Sequence, residues 1–115
     1  MRKPLILFAL AMGAGLVVVG AVFLDWGERE EARLRQAMES DLIVGATQQD
    51  VERWLDLHGA KPIASRDSDG RLVALTATLY REYFLDWNGY LEFFFGFDKN
   101  GRLAERAVYW SPNAL

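Results

Sequence analysis

The order of apolar and polar positions divides this chain into a long apolar run, a helical part and a strand-rich part. The apolar run covers residues 5–24 and contains neither a charged residue nor a proline. Its twenty residues would form ~30 Å of helix at ~1.5 Å per residue, about the hydrocarbon thickness of a bilayer. The pattern therefore predicts a transmembrane helix over residues 5–24, after a short cytoplasmic tip at residues 1–4.

The apolar run has two interpretations, a retained signal anchor and a cleaved secretory signal peptide. Arg2 and Lys3 supply the charged start of either, and residues 19–21 read Val-Gly-Ala, which is typical of a cleavage site. The run continues beyond that site, which favours the anchor. The charge asymmetry then predicts a single-pass protein of the bacterial inner membrane, with a cytoplasmic N-terminus and residues 25–115 in the periplasm.

The first helix of the periplasmic part is predicted over residues 28–38, which are rich in Glu, Arg, Ala and Leu. Leu34, Met38 and Leu42 form a narrow apolar stripe, typical of a helix with one buried side. The charged residues between them, Glu30 among them, suit a solvated face with local ion pairs.

A second helix is marked at both of its ends. Thr47 is a natural N-cap, Asp50 follows three residues later, and Gly59 ends the helix. The only histidine, His58, directly precedes that glycine, where it can complement the helix C-terminus. We therefore interpret His58 as a capping residue rather than a catalytic one.

Beyond Lys61 the apolar positions alternate with the period of a strand. The alternation, with turns rich in Asp, Asn and Gly between the segments, predicts strands over residues 62–66, 71–80, 90–97 and 102–110. Two helices followed by an antiparallel meander indicate an α+β fold. The two helices would pack on one face of a sheet of three to four strands, and residues 25–115 would form one small domain.

Charge and composition exclude several classes of function. Arg2 and Lys3 precede the apolar run, so residues 25–115 contain 11 Lys and Arg against 16 Asp and Glu, a net charge of −5. The basic residues are scattered, which argues against nucleic acid as a partner. Without cysteine the chain has neither disulfides nor a thiolate nucleophile. No nucleophile–base pair, metal-ligand spacing or phosphate loop is present, so we expect neither an enzyme nor a cofactor.

Two short motifs resemble a known family. Residues 43–55, IVGATQQDVERWL, are similar to the "G-small-Ser/Thr-x-x-acid-Val" helix entry of BamE-type envelope domains, also called SmpA or OmlA. Residues 95–103, FGFDKNGRL, are similar to the "Phe-Asp-x-x-Gly-hydrophobic" hairpin of that family. The resemblance covers residues 43–110 and extends to folds like that of the beta-lactamase inhibitor protein. It implies a scaffold or accessory role in an envelope complex, although the lipobox cysteine of that family is missing here.

The candidate binding residues lie in an aromatic segment at residues 80–95. A two-residue turn at Asn88 and Gly89 would give a hairpin that is apolar on both faces, of which the helices can cover only one. Tyr83, Trp87, Tyr90 and Phe94 would then share an uncovered patch, the kind of surface that marks an interaction site. The candidate partner-binding residues are Tyr83, Phe84, Trp87, Tyr90 and Phe94.

The same segment allows a second register. Leu75 and Ala77 could instead face the core together with Phe93 and Phe95. The number of residues between the two strands does not then fit a two-residue turn at Asn88 and Gly89, because such a turn would place these two sets of side chains on opposite faces of the sheet. A bulge or longer loop at residues 81–86 is then required, from which some of the aromatic residues would project. The aromatic residues would accordingly fill the core, form an interface, or contact a bilayer or a small apolar ligand.

Together these patterns predict a membrane-anchored binding or scaffold module of the cell envelope. Its partners would be the lipid bilayer, through residues 5–24, and an envelope protein that the sequence does not identify. Small residues spaced four apart, such as Ala9 and Gly13, would allow a homodimer. The alternative is a secreted or periplasmic domain, released by signal cleavage, that acts as an inhibitor or binds a small apolar ligand.

Overall fold

A computed structural model describes residues 26–84 and 87–113 of the chain. The described residues form two helices and one antiparallel sheet of four strands, which is an α+β arrangement. The elements are α1 (residues 26–41), α2 (Gln48–Leu57), β1 (Ile63–Arg66), β2 (Leu72–Phe84), β3 (Trp87–Phe97) and β4 (Leu103–Pro112).

The predicted transmembrane helix at residues 5–24 lies outside the described residues. Across residues 26–84 and 87–113, no helix has both the length and the apolar content needed to cross a bilayer. In α1 charged residues recur along the whole helix, and α2 has only ten residues. This finding corrects two predictions, the transmembrane helix as part of the fold and the single-pass location in the inner membrane, neither of which the structure supports.

The strands lie in sequence order, β1-β2-β3-β4, and each is antiparallel to its neighbours. Leu75 of β2 faces Phe95 of β3, and Ala77 faces Phe93. These four side chains are buried, so they occupy the side of the sheet on which the helices lie. Of the two registers that the sequence allows, the structure has the second, in which Leu75 and Ala77 face the core together with Phe93 and Phe95.

The β2–β3 hairpin contains a bulge, and the predicted two-residue turn at Asn88 and Gly89 is wrong. Both residues lie within β3, opposite Glu82 and Arg81 of β2. The register shifts after Glu82, which leaves Tyr83 as an extra residue on β2. The bulge allows the buried residues of both strands to keep the same side of the sheet.

The helices bury one stripe each against the sheet. Thr47 and Asp50 form a capping box, in which the Thr47 hydroxyl accepts from the Asp50 amide at 3.1 Å and the Asp50 carboxylate accepts from the Thr47 amide at 3.1 Å. Hydrogen bonding to Thr47, first from its backbone amide and then from its side chain, lowers the pKa of the Asp50 carboxyl. Trp54 of α2 packs edge-on against Phe93 and Phe95. The largest fully buried side chains are Met38, Val51, Leu55, Leu75, Leu91, Phe93, Phe95, Leu103 and Val108.

Candidate functional site

The side of the sheet that faces away from the helices carries an exposed aromatic surface. We call this side the open face. Its positions on the three longer strands are Ala74, Thr76, Thr78, Tyr80, Glu82, Asn88, Tyr90, Glu92, Phe94, Gly96, Glu105, Ala107, Tyr109 and Ser111. Four large rings are exposed there, and we call them the aromatic patch: Tyr80 (46%), Tyr90 (38%), Phe94 (38%) and Tyr109 (57%).

The register of the strands brings the aromatic patch together. Tyr80 of β2 lies directly opposite Tyr90 of β3, with ring centroids 5.4 Å apart and planes tilted by 58°. Phe94 follows two positions after Glu92 on β3, and Tyr109 of β4 faces Glu92. Because strands lie ~4.8 Å apart and alternate residues ~7 Å apart, the four rings occupy one continuous area around Glu92.

The charged groups of the open face are all acidic. Glu82, Glu92 and Glu105 are exposed, and no Lys or Arg occupies any of the positions that define this face. Glu92 accepts a hydrogen bond from the hydroxyl of Ser111 at 3.3 Å. None of the three carboxylates forms an ion pair with a residue between 26 and 84 or between 87 and 113. The open face is therefore both aromatic and negatively charged.

The five predicted partner-binding residues are not all brought together. Tyr90 and Phe94 belong to the aromatic patch, whereas Tyr83 lies on the side of the sheet covered by α1. The common face predicted for these three residues is wrong, because the outward positions of β2 are the even-numbered ones that include Tyr80. Phe84 faces Trp87 at the end of the hairpin, and their side chains lie outside the described part of the structure.

Tyr83 takes part in a polar contact that joins β2 to α1. Its hydroxyl donates to the carboxylate of Glu30, which also accepts from Arg81 Nε at 2.7 Å. The Glu30 side chain is only 11% exposed, and the Tyr83 ring packs edge-on against Trp110. Burial, and then the hydrogen bond to the Glu30 carboxylate, raise the pKa of the Tyr83 phenol well above its usual range. The hydrogen bond from Tyr83 and the ion pair with Arg81 together connect β2 to α1 through Glu30.

Two members of the aromatic patch, Tyr80 and Tyr109, were not among the predicted site residues. Tyr80 alternates with Thr76 and Thr78 along β2, and this polar alternation indicates an outward side. Tyr109 stands between Val108 and Trp110, so a strand period places it opposite them. Both signals are present in the sequence, but they identify a shared face only when the register of the strands is known.

The arrangement of possible metal ligands was compared with what a metal ion requires. Between residues 26 and 84 and between 87 and 113, no group of three His, Asp or Glu side chains is placed to hold a metal ion. His58 caps α2, where its Nδ1 lies 2.8 Å from the carbonyl oxygen of Trp54.

Comparison with known proteins gave no match: neither a protein-family model, nor a curated protein, nor a solved structure is similar to this chain. The resemblance to BamE-type domains therefore stays a prediction from the two sequence motifs.

Proposed function

We propose that this chain is a protein-binding module and that its partner docks on the open face. The observation that carries the proposal is the aromatic patch, four exposed rings on a single sheet face whose opposite face is covered by two helices. Burial of apolar surface is worth ~25 cal/mol per Å², so a partner that covers these rings gains affinity from each of them. Tyrosine is also among the residues most enriched at interfaces and in their binding hot spots.

The composition of the open face fits a surface that alternates between free and bound states. The phenol groups of Tyr90 and Tyr109 can be hydrated when the protein is alone, while the rings remain large apolar surfaces for a partner. The motifs at residues 43–55 and 95–103 imply the same class of role through their resemblance to BamE-type domains. We therefore propose a scaffold or accessory protein that works through surface contacts rather than through chemistry.

Site-specific photo-crosslinking tests the proposal in the cells from which the protein comes. Benzoylphenylalanine replaces Tyr90 or Tyr109 in the full-length tagged chain, and Arg33, on the outward side of α1, carries it in the matched control. We expect the same discrete crosslinked partner from both positions of the open face and none from Arg33. The crosslink at Tyr109 should disappear when Phe94 is changed to Ser, since that substitution removes one ring of the aromatic patch. The absence of an adduct at both positions, or identical adducts from Arg33, would refute the proposal.

A further inference from the structure

Glu92 stands at the centre of the aromatic patch. Tyr90 precedes it and Phe94 follows it on the same side of β3, and Tyr109 faces it from β4. Three of the nearest positions to Glu92 on this side of the sheet therefore carry aromatic residues. The Glu92 carboxylate has no ion-pair partner among the described residues, and its Oε2 accepts a hydrogen bond from the Ser111 hydroxyl. A carboxylate accepts several hydrogen bonds, so Glu92 retains most of its capacity for a partner's donors.

The charge of the open face indicates the sign of the partner. Glu82, Glu92 and Glu105 are the charged residues at its positions, and Arg106 is a basic neighbour that lines the same groove as Phe94 and Tyr109. Three carboxylates against one guanidinium leave the potential of this surface negative. A second copy of this chain, docked through the same face, would bring these carboxylates together and would be repelled. A partner with basic side chains would instead be attracted, and it would approach faster at low salt. Charge complementarity therefore favours a cationic protein over a homodimer at this site.

The arrangement of one carboxylate among three rings fits arginine better than lysine. A guanidinium is planar, so it can stack on a Tyr or Phe ring while its N–H groups bond the carboxylate. A cation within ~6 Å of a ring centroid is also attracted by the ring itself. The lysine ammonium is more strongly hydrated and cannot stack as a plane. We propose that the partner presents an arginine side chain to Glu92, with its guanidinium lying against Tyr90, Phe94 or Tyr109. This inference rests on the proposed function and specifies the chemistry of the partner.

Peptide binding to the full-length protein tests this assignment. The probe is a short fluorescent peptide in which Arg alternates with Leu, and its matched control has neutral citrulline in place of each Arg. We expect the Arg peptide to bind about tenfold more tightly than the citrulline peptide, the effect of one charge-assisted hydrogen-bonded contact. The Lys version should fall between the two. Fluorescence anisotropy measures all three affinities.

Substitution of Glu92 distinguishes this site from general charge attraction. E92Q keeps the shape of the side chain and should lower the affinity for the Arg peptide about tenfold, while the affinity for the citrulline peptide stays the same. Glu28→Gln removes an equal charge from an exposed position of α1 and should change neither affinity. Y109S, at an exposed position, should weaken binding of the Arg peptide as well. Unchanged melting temperatures would show that the variants fold.

Several outcomes would overturn the inference. These are equal binding of the Arg and citrulline peptides, equal loss with Glu28→Gln and E92Q, or no binding of the Arg peptide. If free arginine amide bound as tightly as the peptide, the site would be one for a small cation and not for a protein. A crosslinked partner whose affinity is insensitive to E92Q would refute the role of arginine and leave the proposed function standing. Failure of the crosslinking from Tyr90 and Tyr109 would refute the proposed function itself.

Discussion

The contact between α1 and the sheet can be tested by adding one methyl group at Gly27. The backbone of this residue lies against the indole of Trp110, so that a Cβ placed there would overlap Cε2 and Nε1 of the ring. Gly89 of β3 approaches the same indole, with a Cβ that would be 2.6 Å from Cη2. The indole thus packs against two glycine backbones, and neither site has room for a side chain.

The expected effect of Gly27→Ala is the balance of two opposing terms. In a helix that is exposed to solvent, the change from Gly to Ala stabilises by ~0.5–1 kcal/mol through backbone entropy and helix propensity. Here the new methyl would lie more than 1 Å inside the ~3.5–4 Å separation at which carbon atoms attract each other. Either the Trp110 ring or α1 must move, and overpacking of this kind costs ~1–3 kcal/mol. We expect a net loss of about 1 kcal/mol.

Urea denaturation of the full-length protein, followed by circular dichroism, measures this loss. Gln36→Ala adds alanine at an exposed position of the same helix and should change the stability by less than ~0.5 kcal/mol. In a Trp110→Leu background the clash is relieved, so Gly27→Ala should become neutral or stabilising. The difference between the two backgrounds is the coupling energy between the two positions.

The sign of the change decides whether the reasoning holds. If Gly27→Ala stabilises the protein by the ~0.5–1 kcal/mol expected at a solvated helix position, then α1 does not rest on the indole of Trp110. The same conclusion would follow if the effect were equal in the Trp110→Leu background, since the two residues would then be independent.

Two further predictions test the two sides of the sheet. Phe93→Ala should lower the free energy of unfolding by ~3–5 kcal/mol in urea titrations, because Phe93 is buried. Phe94→Ala should lower it by only about 1 kcal/mol, because Phe94 is exposed. Equal losses would contradict the observed alternation of buried and exposed residues along β3. The Tyr83 phenol should remain protonated in absorbance titrations as pH rises above about 10, the ordinary tyrosine value. Because the pKa of Tyr83 is higher in the folded than in the unfolded protein, its contribution to stability is complete below about pH 10 and is lost as the pH rises further. The free energy of unfolding should therefore fall more steeply above that pH in the wild type than in Tyr83→Phe.

Much of the domain follows from local sequence signals. The capping pair Thr47 and Asp50 fixes the start of α2, because the side chain of each residue accepts a hydrogen bond from the backbone amide of the other. The alternation of Leu91, Phe93 and Phe95 predicts a strand with one buried side, and the parity of that alternation already conflicts with a turn at Asn88. Signals of this kind operate over a few residues, so they need no knowledge of the tertiary structure.

The placement of Tyr83 could not be derived in the same way. One extra residue in β2 changes which side chains oppose one another, and a one-residue shift moves a side chain to the other side of a sheet. Glu30 was expected on a solvated face, yet its carboxylate is nearly buried against Arg81 and Tyr83. That contact joins positions about fifty residues apart in the chain. No helical period or local charge pattern contains this information.

The two sides of β3 show why the open face is more than ordinary surface. A strand with one solvated side usually alternates apolar and polar residues. Here the inward series, Leu91, Phe93 and Phe95, is wholly apolar, but the outward series places Glu92 between two aromatic residues. Exposed rings alone would promote association of identical copies, as unprotected apolar patches do. Carboxylates on the same face would oppose that association by repulsion and would attract the basic partner that we propose, so the same charges would serve selectivity in both ways.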